Sequence, residues 1–385
     1  MIPDARIPVS VLGATGVVGQ RFVARLARHP WFRLEHLAAS ERSVGRAYAE
    51  ACTWQLPDDA GLPPPSGRVP GTGGAGASGA SAGEAGVASD GLAGFGARTL
   101  VAATPKAAFA PVVFSALDSG PARDIEPAFA AAGAVVFSNA SAFRMDPAVP
   151  LLIPEVNPEH LSLLEGQRVQ SGGRGGIVCN PNCTATVLAL ALAPLHAAFG
   201  VETVLMTSMQ AVSGAGWPGV ASLDILGNVI PFIRDEEEKL AEETARMLGT
   251  LAGGRVVPAP MTVSAACHRV PVLDGHTESV SVRLRGDPSP EAVAEALSAF
   301  RGEPQRLALP SAPGQPLRVH VAPDRPQVRR DVGAGGGMVV HVGRVRRCPV
   351  LGIKFVVMGH NAERGAAGGS LLNAELAHAR GLLTS

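Results

Sequence analysis

Apolar positions along the chain change period several times, and each change marks an element. Ile7 to Leu12 is a short apolar run, and Val18, Phe22 and Leu26 then recur at helical spacing. Phe32 to Ala39 is a second apolar run, so the opening reads strand, turn, helix, strand. Such a βαβ unit predicts a parallel sheet with right-handed crossovers. The pattern resumes in the strand PVVFSAL, an Ala-rich helix through residue 132 and the strand AVVFSNAS. Between these parts, from about Ser66 to Arg98, the chain turns to Gly, Ala and Ser. That stretch has too little to bury to offset its ordering entropy, and it reads as a surface insertion without assigned function.

Past Cys183 the texture differs. The apolar run TATVLALALAPLHAAF reads as a buried helix, and VETVLMTSMQAV, HTESVSVRL and MVVHVGRVR read as long strands. The last is joined through Cys348 and Pro349 to GIKFVVMG, an expected antiparallel partner. Gly368 to Leu383 predicts a closing helix that packs back on the first half. The fold class is therefore α/β: a Rossmann-like domain over 1–182, completed by a C-terminal helix within 360–385, and an α+β domain over 183–359 with a mostly antiparallel sheet.

Composition narrows the function classes. At 385 residues, with 46% hydrophobic and 17% charged residues, the chain can build two cored domains. A net charge of zero argues against nucleic acid or an anionic membrane as partner, and one Tyr with three Trp leaves few stacking platforms. Five irregularly spaced cysteines suit a reducing compartment rather than a disulfide framework. Cys179 and Cys183 lack a second Cys/His pair, so no metal site is expected. The N-terminus runs at once into VSVLGATG without the parts of a signal peptide, and the apolar run after Cys183 is broken by Pro194 and His196. A cytoplasmic location is the expectation.

The candidate chemistry begins at Gly13-Ala14-Thr15-Gly16-Val17-Val18-Gly19, between strand and helix. Its glycines permit a tight turn and close approach of a pyrophosphate to a helix N-terminus. Gly13, Thr15, Gly16, Val17 and Val18 are the candidate dinucleotide contacts. At the end of the second strand, Arg42 between Ser40 and Ser43 suits a 2′-phosphate and points to NADP, whereas an inward Glu41 would suit NAD.

Cys183, in Asn180-Pro181-Asn182-Cys183-Thr184, falls at a helix start, where unpaired amides and the macrodipole favour thiolate. Arg269 and His276 lie on either side of a turn in CHRVPVLDGHTE. An arginine fork suits a carboxylate and a histidine suits acid/base work, but spacing alone does not choose between His268 and His276.

The motifs GATGVVGQ, SNASAFRM, NPNCTAT, SMQAVSGAG, DEEEK, HRVPVLDGHTE, GGGMVVHVGRVR and RGAAGGSLLNAE occur in this order. In that order the chain resembles the aspartate-semialdehyde dehydrogenases, closest to their archaeal and fungal-type branch. The resemblance covers nearly the whole chain outside the insertion. It implies reduction of 4-phospho-L-aspartate with NADPH through a cysteine thioacyl intermediate, in the biosynthesis of lysine, threonine and methionine. The second domain would then carry both catalysis and dimerisation, with a homodimer or homotetramer as the assembly.

Residue by residue, the resemblance makes Cys183 the nucleophile, His276 the acid/base and Arg269 the grip on the α-carboxylate. Gln210 would orient the thioacyl group and its attackers, and Asn182, alongside the amides of the helix start, would help stabilise the oxyanion. Arg144, with Asn139 nearby, and Lys239 would bind phosphate. Glu236, rather than Glu237 or Glu238, would meet the substrate ammonium. Ser115, Ser213, Gly214 and Gly216 would line the nicotinamide side, and Asn361 would close the far end, although His360-Asn361-Ala362 departs from the usual Asn-Thr pairing there. Two rival readings stand beside this one: an acyl-CoA reductase resembling malonyl-CoA reductase, and a non-catalytic NADP-binding redox sensor.

Overall fold

The computed structural model describes residues 6–56 and 92–383. The predicted βαβ pattern forms a six-stranded parallel sheet from β1 (Ile7–Leu12), β2 (Phe32–Ala39), β3 (Val101–Ala102), β4 (Val112–Ser115), β5 (Val135–Ser138) and β6 (Gly176–Cys179). The order is β3-β2-β1-β4-β5-β6, so the direction of winding reverses between β1 and β4. In an open α/β sheet the crevice at that switch point, outside the carboxyl ends of the strands, is where ligands bind. Both β4 and β5 are buried at every position, which explains their unbroken apolar runs.

The second half forms another six-stranded sheet, from β7 (Val201–Gln210), β10 (Thr262–Arg269), β11 (His276–Leu284), β12 (Leu317–His320), β13 (Val340–Cys348) and β14 (Gly352–Gly359). A separate hairpin holds β8 (Thr250–Ala252) and β9 (Arg255–Val257). In the order β10-β7-β11-β14-β13-β12 the central pairs are antiparallel, and both edge pairs, β10 with β7 and β12 with β13, are parallel. The sheet is therefore mixed. The antiparallel expectation describes its middle, including the β13–β14 pair joined through Pro349.

The helix Cys183–Phe199 starts just past the end of β6 and packs on β7, β11, β13 and β14 of the second sheet. Leu188, Leu190 and Leu192 are fully buried in one cluster with Val113 and Val136 of the first sheet and Val280 and Val357 of the second. A helix apolar on all sides buries itself this way. Its first residue is consequently held where the two sheets meet. The closing helix, Gly368–Ala379, places Leu371, Leu372 and Leu376 in the other cluster with Val9, Phe22 and Phe114, so it covers the first sheet as expected.

Most of the predicted insertion, residues 66–91, lies outside the described residues. Its far boundary needs correcting. Leu92–Gly96 is a short helix, Phe95 is buried, and the Arg98 guanidinium stacks 4.5 Å from the Phe95 ring centroid while donating to the Leu34 carbonyl. One aromatic and one arginine suffice to anchor that end, which Gly/Ala/Ser composition obscures. No helix among the described residues is long and apolar enough to cross a membrane.

Candidate active site

The glycine turn opens into a cleft of about 1170 Å³ at the switch point. Gly13 sits at φ +73°, and a Cβ there would stand 2.6 Å from the Ala116 carbonyl oxygen. A Cβ on Gly19 would stand 2.1 Å from the Gly13 oxygen, so the helix Val17–Leu26 packs directly on the turn. Gly16, its N-cap, supplies no side-chain acceptor, and the first-turn amides remain available to an anion in the cleft. These residues fit a dinucleotide pyrophosphate. Gln20 locks the arrangement, donating to the Thr15 and Thr53 carbonyls and accepting from Gln55 N.

Of the expected cofactor contacts, Gly13, Thr15, Gly16, Val17, Val18, Ser40, Ser213, Gly214, Gly216 and Asn361 line this cleft. Three do not. Arg42 is exposed and Ser43 half-buried on a single 3₁₀ turn, Glu41–Ser43, where successive side chains diverge, so that Ser40 and Glu41 face the cleft instead. Ser115 is fully buried and faces the Glu126 carboxyl, because period two along β4 turns it away while Ala116 and Leu117 beyond the strand line the wall.

Asn182 shapes the nucleophile's surroundings. As N-cap of the helix that begins at Cys183, its Oδ1 accepts from Thr184 N and Ala185 N at 2.8 and 3.0 Å. Its Nδ2 donates to both Glu236 oxygens at 3.0 Å, and its main-chain N–H donates to Glu243 at 2.6 Å. Cys183 Sγ lies 3.2 Å from His276 Nε2. Gly365 packs so closely on the cysteine that a Cβ there would stand 2.6 Å from Cys183 Cβ. Its place in RGAAGGS was the only trace of that contact in the sequence.

Strand pairing assembles the rest. β10 pairs with β7 and β7 with β11, which sets Arg269 beside Gln210 and brings His276 to the same sheet end. Alternation along β10 buries Cys267 and Arg269 on one face and turns His268 to the other, so the geometry brings His276 and not His268 to Cys183. Arg269 donates to the Ala211 carbonyl at 2.8 Å and, among the described residues, has no carboxylate partner within ion-pair distance.

The acidic run begins the helix Glu236–Met247. Glu236 is buried and accepts from Asn182, Thr184 and Gln210; Glu237 instead accepts from Cys267 N, and Glu238 is exposed. Glu243, two turns on along the same face, accepts from Arg144 Nη1 at 3.1 Å. Sequence reasoning missed Glu243, although its helical spacing from Glu236 was readable. Arg144 is further held by donating to the Asn139 carbonyl at 2.7 Å, and both residues line the cleft. Lys239 is outside it. One turn of helix carries Lys239 toward solvent, 38% exposed, with Asp235 its carboxylate neighbour at 3.7 Å.

A second missed group ties the cofactor helix to the catalytic turn. Arg21, one turn into that helix, donates to Glu363 at 2.7 Å and to Asp274 at 3.3 Å. Asp274 and Gly275 lead into His276; Gly275 N donates to Asn361 Oδ1, and Asn361 Nδ2 donates to Ser213. Asn361 thus acts as a brace across the cleft end.

Electrostatics give the nucleophile a different resting state from the one its helix position suggests. Burial pushes the Cys183 thiol up to about 12, with the Glu236 charge adding to it and Arg144 and Arg269 pulling the other way. Burial, then the Arg269 charge, brings His276 down to about 3. The resting pair is thiol and neutral imidazole: desolvation outweighs the helix terminus. Ala211 N donates to His276 Nδ1 at 3.1 Å, which places the ring proton on Nε2, facing sulfur.

A pH dependence follows. Below its pKa the thiolate fraction rises about tenfold per pH unit. Alkylation of Cys183 by iodoacetamide in the cofactor-free protein, followed by mass spectrometry of its peptide, is expected to accelerate through about pH 10, where an ordinary cysteine has already levelled off. A plateau near about pH 8 would contradict the neutral pair.

Comparisons with known proteins find relatives of both halves of the chain. The family model described as "Semialdehyde dehydrogenase, NAD binding domain" matches residues 8–62 and 76–164, and "Semialdehyde dehydrogenase, dimerisation domain" matches 192–363. Aspartate-semialdehyde dehydrogenase of Archaeoglobus fulgidus is 49% identical over 371 residues, covering 96% of this chain and 98% of the relative. The chain belongs to the aspartate-semialdehyde dehydrogenase family. The protein of that name from Cryptococcus neoformans is 45% identical with both chains covered in full. The crystal structure of aspartate semialdehyde dehydrogenase with NADP from Candida albicans superposes with a TM-score of 0.83 at 38% identity, covering 98% of this chain and all of that one. Within this family, the matched dimerisation domain is the half that carries Gln210, Glu236, Arg269 and His276.

Proposed function

We propose that the protein catalyses the reversible reduction of 4-phospho-L-aspartate to L-aspartate 4-semialdehyde and phosphate, with NADP as its cofactor. The observation that carries the substrate is an unmatched pair of charges beside the nucleophile. Glu236 has three neutral donors and no cation partner, and Arg269 has no carboxylate partner, among the described residues. Both line the cleft with Cys183. Together they suit the ammonium and carboxylate of an α-amino acid, with the side chain directed at sulfur.

Cys183 attacks the acyl phosphate, forming the S–C bond and breaking the C–O bond to phosphate. The thiol proton ends on the departing phosphate, which Arg144 receives. Nε2–H of His276 donates to the sulfur as charge develops there. Asn182 and Glu243 occupy the neighbouring amides, which leaves the Cys183 N–H as the helix-start donor for the carbonyl oxyanion, a contribution of about 3 kcal/mol. The bound nicotinamide supplies the hydride that turns the thioester into a thiohemiacetal. Collapse of that adduct releases the aldehyde and returns Cys183 sulfur as a thiolate, again held by His276, before solvent restores the proton. Splitting acyl transfer from reduction divides one difficult step into two.

The NADP choice draws on the Candida albicans relative, solved with NADP, and on Ser40 in the cleft wall, while Glu41 beside it is the feature that would suit NAD. The division at residue 182, with catalysis and self-association in 183–359, falls in the gap between the two matched family regions, 8–164 and 192–363. Strand β7 turns Leu205 and Met209, 42% and 37% exposed, to the outer face of the second sheet, and that face suits a homodimer or a homotetramer built from dimers. An acyl-CoA substrate would leave the Glu236 charge unanswered, and a redox sensor would need neither Glu236 nor Arg269. The test is phosphate-dependent reduction of NADP by L-aspartate 4-semialdehyde, with NAD and an acyl-CoA panel in parallel. Turnover only with acyl-CoA would reject the proposal.

A further inference from the structure

Three potential metal ligands meet at the edge of the second sheet opposite β10. His320 ends β12, His341 lies on the adjacent β13, and Asp331 closes the short helix Val328–Asp331. One ligand atom from each lies within 4.8 Å of the others. His320 Nε2 and His341 Nδ1 are 2.9 Å apart, with the rings stacked at 5.2 Å. Asp331 and His341 are buried, while His320 is half-buried and gives access from solvent.

We propose that His320, His341 and Asp331 bind a divalent cation of the zinc class. Two imidazoles and one carboxylate, with water in the remaining position, are a ligand set that suits zinc or cobalt. The nitrogen–nitrogen separation needs little change when a metal replaces the shared proton. The supporting groups are also present. Arg325 donates to both Asp331 oxygens and Gln327 N donates to Oδ2, which orients the carboxylate as outer partners of metal ligands do. A carboxylate offers about four lone-pair sites, so these three bonds leave one on Oδ1 for the cation. The Arg325 and Arg318 charges oppose a cation, and they restrict the site to ions that bind imidazole strongly rather than hard ions such as magnesium.

The site has a structural consequence near the chemistry. Gly275, at φ +96°, has so little room that a Cβ there would stand 2.9 and 3.0 Å from Val332 and Val328. The helix that carries Asp331 therefore backs the turn leading into His276. A bound cation would fix that helix to the sheet edge and hold the turn more firmly.

The experiment titrates chelator-treated full-length protein with Co²⁺, reading visible ligand-field absorption, and displaces it with Zn²⁺. One Co²⁺ per chain is expected, with a four-coordinate spectrum lacking thiolate-to-cobalt charge transfer, which separates this site from Cys183. His320→Ala, at a half-exposed position that tolerates truncation, is expected to weaken binding by more than the roughly 10–100-fold typical of an outer-shell change. Zn²⁺ should raise the melting temperature of the wild-type protein and not that of His320→Ala. Absence of saturable Co²⁺ binding, or binding unchanged by His320→Ala, would overturn the proposal and leave the cluster as a hydrogen-bonded relay.

Discussion

Cys183→Ser is expected to reduce phosphate-dependent turnover by on the order of 10⁴-fold or more, since it removes the group that forms the covalent intermediate in the proposed mechanism. The half-buried cysteine packs against Gly365 and its thiol is held 3.2 Å from His276, so serine fits the space. A hydroxyl there has no base to activate it, because His276 already carries its proton on the nitrogen that faces it. NADP affinity, measured by calorimetry, should stay within about twofold, as the glycine turn and Ser40 lie on the other half of the cleft. Turnover near that of the unaltered protein would remove Cys183 from the mechanism. Lost cofactor binding would instead signal that the substitution disturbed the region between the sheets.

Arg269→Lys should cost about 10–100-fold in kcat/KM for the semialdehyde, the equivalent of about 1.5–3 kcal/mol for a charge-assisted bond to a carboxylate. The charge survives but the fork does not. One Nη already donates to the Ala211 carbonyl at 2.8 Å, which fixes the guanidinium plane; a lysine at that depth must choose between that carbonyl and the substrate. The loss should shrink for a substrate analogue lacking the α-carboxylate. An equal loss for both substrates would assign Arg269 a structural role in holding the loop after β7.

Much of the site was legible because its residues fall at element boundaries that local pattern marks. Cys183 follows Pro181 and precedes an apolar run, and Gly13 to Gly19 join a strand to a helix; both positions are where the predictions put them. The expectations that shifted depended on side-chain direction. Arg42 and Ser43 fell outside the cleft because a tight turn sends neighbours different ways, and Ser115 because strand alternation buries it. The choice among the three glutamates needed the helical phase of Glu236 relative to Asn182, which adjacent acids in a row do not reveal.

The linear chain determined the two kinds of sheet, the buried helix that follows β6 and the residues with chemistry to offer, because hydrophobic period and turn residues act over a few neighbours. Tertiary structure decided which of those residues meet. His276 reaches Cys183 through the pairing of β7 with β11, Glu243 reaches Arg144 by helix packing, and Arg21 reaches Asp274 from the opposite half of the molecule. It also decided the charge state of the nucleophile. A helix start favours thiolate, but burial is a property of everything packed around Cys183, and here it is the larger effect.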